Sequence, residues 1–493
     1  MTNPIDKSGS PAYFSFDQLQ RLADIIEQSP VKAPLPQKLP EDRLEAAESP
    51  GTTRDIILIP PKNRFVTKAG GIEPKASPEE LKNIGVEVGE SLDIINGYEG
   101  KASSEAISKL KEQGYQIYDN SSRKLVPGIP KVKLPDDSGI PNIDAVKMTQ
   151  ADQIHKEGYK GKNQVVAVID SGFYYPGVKL EAWKDIVQGS PTPIDPNGHG
   201  THVAGDVINM APEAKVVAVR VMNEKGAGRP SDIVKGIQWA ITNKEKYGIG
   251  VINLSLGSGP DGISYKDDPI DQSVEKAVKE GITVVDAAGN SGPKSKTIGD
   301  PADAPSGITV GSALDNKTVS TFSSRGPTDD GFTKPDIMAP GEFIVSWSSP
   351  GSQLDKIGTF VSKIAFGSGE ELIALLKQKP QLIKALKLPK NILSMPPDKV
   401  AVLVKNVLPP IFKPDDKHLG APGTSFASPE VAGIVADLRQ AKPEAAPQEI
   451  KQALTATAED MGAKYGKNEE GAGFIRADEA LHKLVGQKAR HTR

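Results

Sequence analysis

The chain has 493 residues, 37% of them apolar, and 60 basic against 63 acidic side chains give a net charge of −3. That length accommodates about three domains and a full core without covalent staples. The balanced charge offers no electrostatic reason to expect nucleic acid or an anionic membrane as partner, and the absence of cysteine excludes disulfides, thiol catalysis and thiolate metal sites.

Residues 1–54 are polar and dotted with proline, and read as a flexible extension carrying one amphipathic helix over Phe16–Ile26. Residues 55–130 read as a small α+β domain. Asp55–Ile59, Leu92–Tyr98 and Tyr115–Tyr118 are its expected strands. Ser104–Lys111 is an expected helix, and Ser77, Pro78 and Glu80 spell the start of another: cap, proline in the first turn, and a carboxylate returning to the cap. That order is a split β-α-β, ferredoxin-like module.

Residues 131–493 form the main domain. Val165–Ile169, Val216–Val221, Val251–Leu256 and Ile282–Ala287 are continuous apolar strands, and Ser231–Lys244 and Ile270–Glu280 have helical spacing. Apolar strands alternating with helices predict a doubly wound parallel sheet, flanked by helices on both faces. Residues 351–418 break that rhythm. There Ser368 and Glu371 form a capping box, Pro397 opens a second helix, and Pro380, Pro389 and Pro396 keep the pieces short. The longest pure apolar runs hold about five residues against the roughly 20 of a membrane-spanning helix, so no membrane span is expected.

Three segments carry reactive residues beside glycine. Asp170 ends the first strand in VAVIDSG, His199 lies in GHGTHVAG, and Ser425 lies in APGTSFASPEVAG. In an open parallel sheet, sites form at the carboxyl ends of strands. A serine hydroxyl needs a base to take its proton, neutral imidazole serves near pH 7, and a carboxylate on the other ring nitrogen fixes the tautomer. A helix starting at Ser425 would aim free N–H groups at a developing oxyanion. The chain order Asp, His, Ser is one of the known orders of such triads.

On these motifs the sequence resembles the subtilisin-like serine proteases, the subtilases. VINLSLGSG is similar to the family's substrate-binding strand, DAAGNSG to its oxyanion loop, and FSSRGPT with KPDIMAPG to the approach to its nucleophile. The resemblance implies that Asp170 orients, His199 is the base, Ser425 attacks and Asn290 donates to the oxyanion. It implies that polypeptide substrate lies as an added strand between a wall at Ser255, Leu256 and Gly257 and a wall at Gly226, Ala227 and Gly228. Ala288, Gly289 and Gly299 fall where the family builds its principal specificity pocket, and their small size predicts a large apolar residue before the scissile bond. Residues 55–130 resemble the family's propeptide, which implies a zymogen, an intramolecular inhibitor, and self-cleavage between about Ser121 and Ile140.

Departures from the family pattern are also plain. DVINM runs directly into APEAK, so the loop that often carries a tight calcium site is missing; no cofactor is expected, with room only for a weak calcium site elsewhere. Glu430 stands where the family has histidine. The 351–418 insertion is expected to pack on the core or to form a helical cap beside the cleft. His202 and Ser428 are expected to be structural. A monomer is expected. The N-terminus shows no basic region followed by an apolar stretch, so the expected location is cytoplasmic, with leaderless export as the other route. The alternatives are a catalytically silent, protease-like binding scaffold and a dinucleotide site at Gly257, Gly259 and Gly262, which Pro260 and Asp261 interrupt.

Overall fold

The computed structural model describes residues 13–15, 25, 52–61, 66–68, 71–73, 77–126, 128–130, 144–365, 367–408 and 410–486. The expected helix over Phe16–Ile26 lies outside the described residues, except for Ile25. The chain divides into two compact units, residues 24–122 and residues 1–23 with 123–493.

The smaller unit contains β2 (Thr53–Ile59), the hairpin β3 (Val66–Lys68) and β4 (Gly71–Glu73), α1 (Pro78–Ile84), β5 (Val86–Leu92), β6 (Gly97–Ser103), α2 (Ser104–Glu112) and β7 (Gln116–Asp119). Its antiparallel sheet has the order β5-β6-β2-β7, which with two helices makes the ferredoxin-like β-α-β-β-α-β arrangement. Ile56, Leu58, Leu81, Tyr98, Ala106 and Leu110 share its core. The capping box forms as read: Ser77 Oγ accepts from Glu80 N, and Glu80 Oε2 accepts from Ser77 N. The strand expected over Leu92–Tyr98 does not form. Leu92 ends β5, Asp93–Ile95 is a 3-10 turn, and Asn96 at φ 53° turns the chain into β6.

The larger unit opens with β1 (Tyr13–Ser15), which pairs antiparallel with β9 (Gly128–Pro130), and includes β8 (Arg123–Lys124). Its eight-stranded sheet has the order β11-β12-β10-β14-β15-β16-β17, with β18 also on β16. The strands are β10 (Val165–Asp170), β11 (Ala182–Asp185), β12 (Lys215–Arg220), β14 (Ile249–Leu254), β15 (Thr283–Ala287), β16 (Ile308–Asp315), β17 (Thr318–Val319) and β18 (Ile337–Pro340). Every pairing is parallel except β16 with β17. β10, β14 and β15 are buried at every position, which is why they read as unbroken apolar runs. Helices α3 (His199–Met210), α4 (Pro230–Thr242), α5 (Pro269–Lys279), α10 (Thr424–Ala441), α11 (Pro447–Thr457) and α12 (Ala477–Leu484) surround the sheet.

Helix α10 packs on β14, β15, β16 and β18 and lies against α3. The two helices meet at Gly433, where a Cβ would stand 2.6 Å from Met210 Cβ and 2.8 Å from the Val207 carbonyl oxygen. Only a residue without a side chain permits that approach, and the approach brings the two helix starts, His199 and Ser425, to one end of the sheet.

The insertion is helical: α6 (Gln353–Ala365), α7 (Gly369–Gln378), α8 (Gln381–Ala385) and α9 (Pro397–Lys405), bounded by the antiparallel pair β19 (Ile344–Trp347) and β20 (His418–Ala421). The Ser368–Glu371 capping box is present. Many of its apolar residues turn inward: Leu372, Leu376, Leu382, Ile392, Val400 and Val404 are buried, while Val402 is exposed. The sequence reading missed α6. Its Ser352 cap accepts from Asp355 N, but Pro350 and Gly351 just before it look like a loop. The N–H groups of Gln353 and Leu354 bond to the carbonyls of Pro196 and Asn197, so the root of the insertion braces the segment that leads to His199. Among the described residues, no helix is long and apolar enough to cross a membrane.

Candidate active site

Asp170 is the last residue of β10 and fully buried. Its Oδ1 accepts from Ser171 N at 2.6 Å and from His199 Nδ1 at 2.9 Å. His199 is the first residue of α3 and is 1% exposed. Burial lowers its pKa, but the charge and hydrogen bond of Asp170, with help from Asp195 and Asp206, outweigh burial and raise it above the ordinary imidazole value. The remaining nitrogen, Nε2, has no hydrogen-bond partner among the described residues.

Asp195 fixes the start of α3, and the sequence reading missed it. Its carboxylate accepts from Ser171 Oγ (2.9 Å), Gly198 N (2.8 Å), Thr201 N (2.8 Å) and Thr201 Oγ1 (2.6 Å). Ser171 Oγ in turn accepts from Gly200 N. One buried carboxylate thereby caps the helix N-terminus and ties it to the residue after Asp170. The available signal was an aspartate four residues before His199, at capping distance from a helix start.

Ser425 is the second residue of α10 and is 8% exposed. Its neighbour Phe426 packs against the ring of His199, with centroids 5.3 Å apart. No hydrogen bond joins Ser425 to His199 Nε2 in this resting arrangement; such contacts often tighten only when substrate binds. Asn290 is held from the other side. Its Oδ1 accepts from Thr424 N and Thr424 Oγ1, both at 3.0 Å, and Gly289 N donates to Thr424 Oγ1. With the carbonyl oxygen engaged, the amide Nδ2 is left to donate beside the N-terminus of α10.

His202 and Ser428 are structural, as read. His202 Nδ1 lies 2.9 Å from Asp206 Oδ2 and Nε2 donates to the Leu419 carbonyl at 2.9 Å. Ser428 Oγ donates to Asn253 Oδ1, whose amide donates to Ser255 Oγ. Glu430 is fully buried and neither carboxyl oxygen has a hydrogen-bond partner among the described residues. Burial, then the nearby Asp206, pushes its pKa well above the carboxylate range.

The residues named as walls border an extended segment of the chain itself. β8 pairs antiparallel with β13 (Ala227–Gly228). The N–H groups of Leu125 and Val126 donate to the Gly226 carbonyl at 3.0 and 3.1 Å, and Gly257 N donates to the Leu125 carbonyl at 2.9 Å. Residues 123–126 thus run as an added strand between Gly226–Gly228 and Gly257. A Cβ at Gly226 would lie within 3.6 Å of both Val126 and Asn197 Nδ2, so the strand runs toward His199. Ser255 and Leu256 are buried behind this wall. Ala288 packs with Ile298 and Ala302, and Gly289 adopts φ 100°.

α3 ends at Met210 and β12 begins at Lys215. The four residues between them, Ala-Pro-Glu-Ala, carry a single carboxylate, too few oxygen donors for a tight calcium loop. Among the described residues, two sets of carboxylates elsewhere have cation-ligand spacing: Asp261, Asp268 and Asp300, and Asp271, Asp300 and Asp303.

Residues 161–368 and 416–473 match the profile of the subtilase family. The chain is 33% identical to serine protease AprX of Bacillus subtilis over 366 residues, covering 68% of this chain and 71% of the relative. It is 39% identical to subtilisin DY of Bacillus licheniformis over 214 residues, 41% of this chain and 73% of that protein. It is 38% identical to a subtilisin of Bacillus pumilus over 215 residues, 41% and 73% of the two chains. The gap in the profile match, residues 369–415, coincides with the helices α7 to α9. Parallel sheet, helix starts and matched motifs converge: this chain belongs to the subtilase family and is a subtilisin-like serine endopeptidase.

Proposed function

We propose that this endopeptidase works through Asp170, His199 and Ser425, with Asn290 as oxyanion donor. The observation that carries the reading is the buried Asp170–His199 hydrogen bond of 2.9 Å, which leaves Nε2 unpaired beside the N-terminus of α10. Nε2 takes the Ser425 proton as Oγ adds to the scissile carbonyl. The resulting imidazolium is stabilised by the Asp170 carboxylate, and the oxyanion by Asn290 Nδ2 and the first N–H groups of α10. His199 then hands its proton to the leaving amine, and water, deprotonated the same way, releases the acyl group. A phosphonofluoridate probe should label Ser425 in the wild type and not in His199→Ala. An unlabelled Ser425 in the folded wild type would favour the silent-scaffold reading, for which nothing speaks at present.

The enzyme is read as a monomer acting on polypeptides, with residues 55–130 as its intramolecular propeptide. The added strand at residues 123–126 supports this, since it engages the expected walls by main-chain pairing, the mode in which a substrate strand adds to a sheet edge. Its direction narrows the expected processing site to the residues just after Val126. N-terminal sequencing of active enzyme tests this; an active species still beginning at Met1 would refute obligatory processing. Large parallel sheets fold slowly because their contacts are non-local, which gives such a module a role in folding as well as inhibition. The small residues Ala288 and Gly289 are the basis for a preference for a large apolar residue before the scissile bond; Gly299 is held small by the Gly259 backbone, 2.4 Å from where its Cβ would stand. Subtilases need no organic cofactor, and no tight calcium site is proposed at the α3–β12 connection.

A further inference from the structure

Beyond Gly257 the cleft wall becomes acidic, in a way the triad chemistry does not use. Ser258 N donates to the Asp300 carbonyl at 2.9 Å, and Ser258 Oγ donates to Asp300 Oδ2 at 3.1 Å. The approach is so close that a Cβ at Gly257 would meet the Asp300 carbonyl oxygen at 2.6 Å. Asp300 stands with Asp261 and Asp268, and behind it with Asp271 and Asp303, each group offering carboxylate oxygens within 4.8 Å of one another. All but Asp261 are buried. Like charges at this spacing disfavour one another's ionisation. Burial first, then the neighbouring carboxylates, push Asp271 and Asp300 well above the usual range, and burial raises Asp268 to about 6. Asp271 is fully buried within the cluster, and neither of its oxygens has a hydrogen-bond partner among the described residues. The cluster is short of positive charge.

Among the described residues, one ion pair is made with it directly. Arg123 Nη2 lies 3.2 Å from Asp300 Oδ2, and Arg123 sits on the added strand, two residues before Leu125, whose carbonyl takes the Gly257 N–H. We propose that Asp300, with Asp268 and Asp261, forms a subsite for a cationic side chain of the polypeptide substrate, arginine above all, two residues N-terminal to the residue paired with Gly257. This rests on reading residues 123–126 as lying where substrate lies. The guanidinium suits the site: it stays charged when partly desolvated and presents several donors in a plane, whereas an ammonium is a compact, strongly hydrated charge. A hard cation is less well served. Asp300 Oδ2 is already shared between Arg123 and Ser258, and Asp268 Oδ1 caps α5 through the N–H groups of Ile270 and Asp271.

The test uses the processed enzyme and quenched decapeptides copied from residues 121–130, Ser-Ser-Xaa-Lys-Leu-Val-Pro-Gly-Ile-Pro, with Xaa as Arg, Lys, Gln or Glu. Hexapeptides ending at Val serve as competitors of casein hydrolysis. Close charge pairs across an interface discriminate strongly, so Arg should exceed Glu by about a hundredfold in kcat/KM, or in competitor affinity, with Gln between them. Asp300→Asn should shrink the Arg-to-Glu ratio by about tenfold or more. Equal handling of Arg and Glu by the wild type, with Ser425 still labelled by the phosphonofluoridate, overturns the subsite alone. Loss of that labelling strikes the active-site reading instead. An Arg preference that vanishes in EDTA and returns with calcium assigns the cluster to a metal and also overturns the proposal. Because the wild-type series decides by itself, a poorly folding Asp300→Asn does not shield it.

Discussion

Replacing Asp170 with Asn isolates the charge of the proposed triad from its shape. Oδ1 accepts from both the Ser171 N–H and His199 Nδ1, while Oδ2 has no hydrogen-bond partner among the described residues. An asparagine can therefore keep its oxygen on both donors and turn its amide nitrogen toward the vacant side. What it loses is the attraction between carboxylate and the imidazolium formed during attack. At the observed 2.9 Å and an effective dielectric constant of about 20, that attraction is about 6 kcal/mol, or about 10⁴-fold in rate. Removing the corresponding aspartate of subtilisin costs about 3 × 10⁴ in kcat, a value measured on that relative and not worked from this structure. The assay is kcat and KM on a peptide anilide from pH 5 to 9, with active sites counted by phosphonofluoridate burst and folding checked by melting temperature. His199 must be neutral to accept a proton, so activity rises as pH climbs through its pKa. Asp170 holds that pKa up, so the acid limb lies above the ordinary imidazole range in the wild type and moves to lower pH in Asp170→Asn. A folded variant within tenfold of wild type, or one whose acid limb stays in place, would refute the argument.

Asn290→Ala should lower kcat with little change in KM, by about 2.7–4 kcal/mol if the value known from subtilisin carries over; a change mainly in KM would contradict the oxyanion role. Gly433→Val forces a side chain into the α3–α10 contact, where a Cβ already stands 2.6 Å from Met210 Cβ, and should cost about 1–3 kcal/mol or more of stability, read by denaturant melts. Leu376→Ala, at 2% exposure inside the insertion, should cost about 2–5 kcal/mol if the insertion melts with the core. Replacing residues 369–405 with a short Gly/Ser linker, keeping α6, should leave peptide-anilide kcat/KM within a few-fold. Loss of that activity would mean that α7 to α9, and not only α6, support the segment before His199.

The parts of the fold that were legible in the sequence are those where one force acts alone. β10, β14 and β15 are buried on both faces, so their apolar character survives at every position. Asp170, His199 and Ser425 each sit beside glycines at element boundaries, and their motifs are local. What escaped was decided by contacts distant in sequence. β5 is buried only at its ends, Val86 and Leu92, with Glu87 and Glu90 exposed between them, and so lacks the apolar run that marks a strand. The acidic cluster is spread from Asp261 to Asp303 and is collected only when α5 and the segment after Gly299 come together. Asp195 acts through four donors that the fold alone delivers.

The pairing of β1 with β9 has a topological consequence. Residues 1–23 and residues from 123 onward share one compact unit, with residues 24–122 as the other unit between them in the chain. If the chain is processed as proposed, with a cut between Val126 and Gly128, the two pieces remain paired, because β1 precedes that cut and β9 follows it. An isolated two-stranded ribbon is marginally stable in water, so three residue pairs would then hold the pieces together, and the parting of the pieces would wait on the fraying of that ribbon.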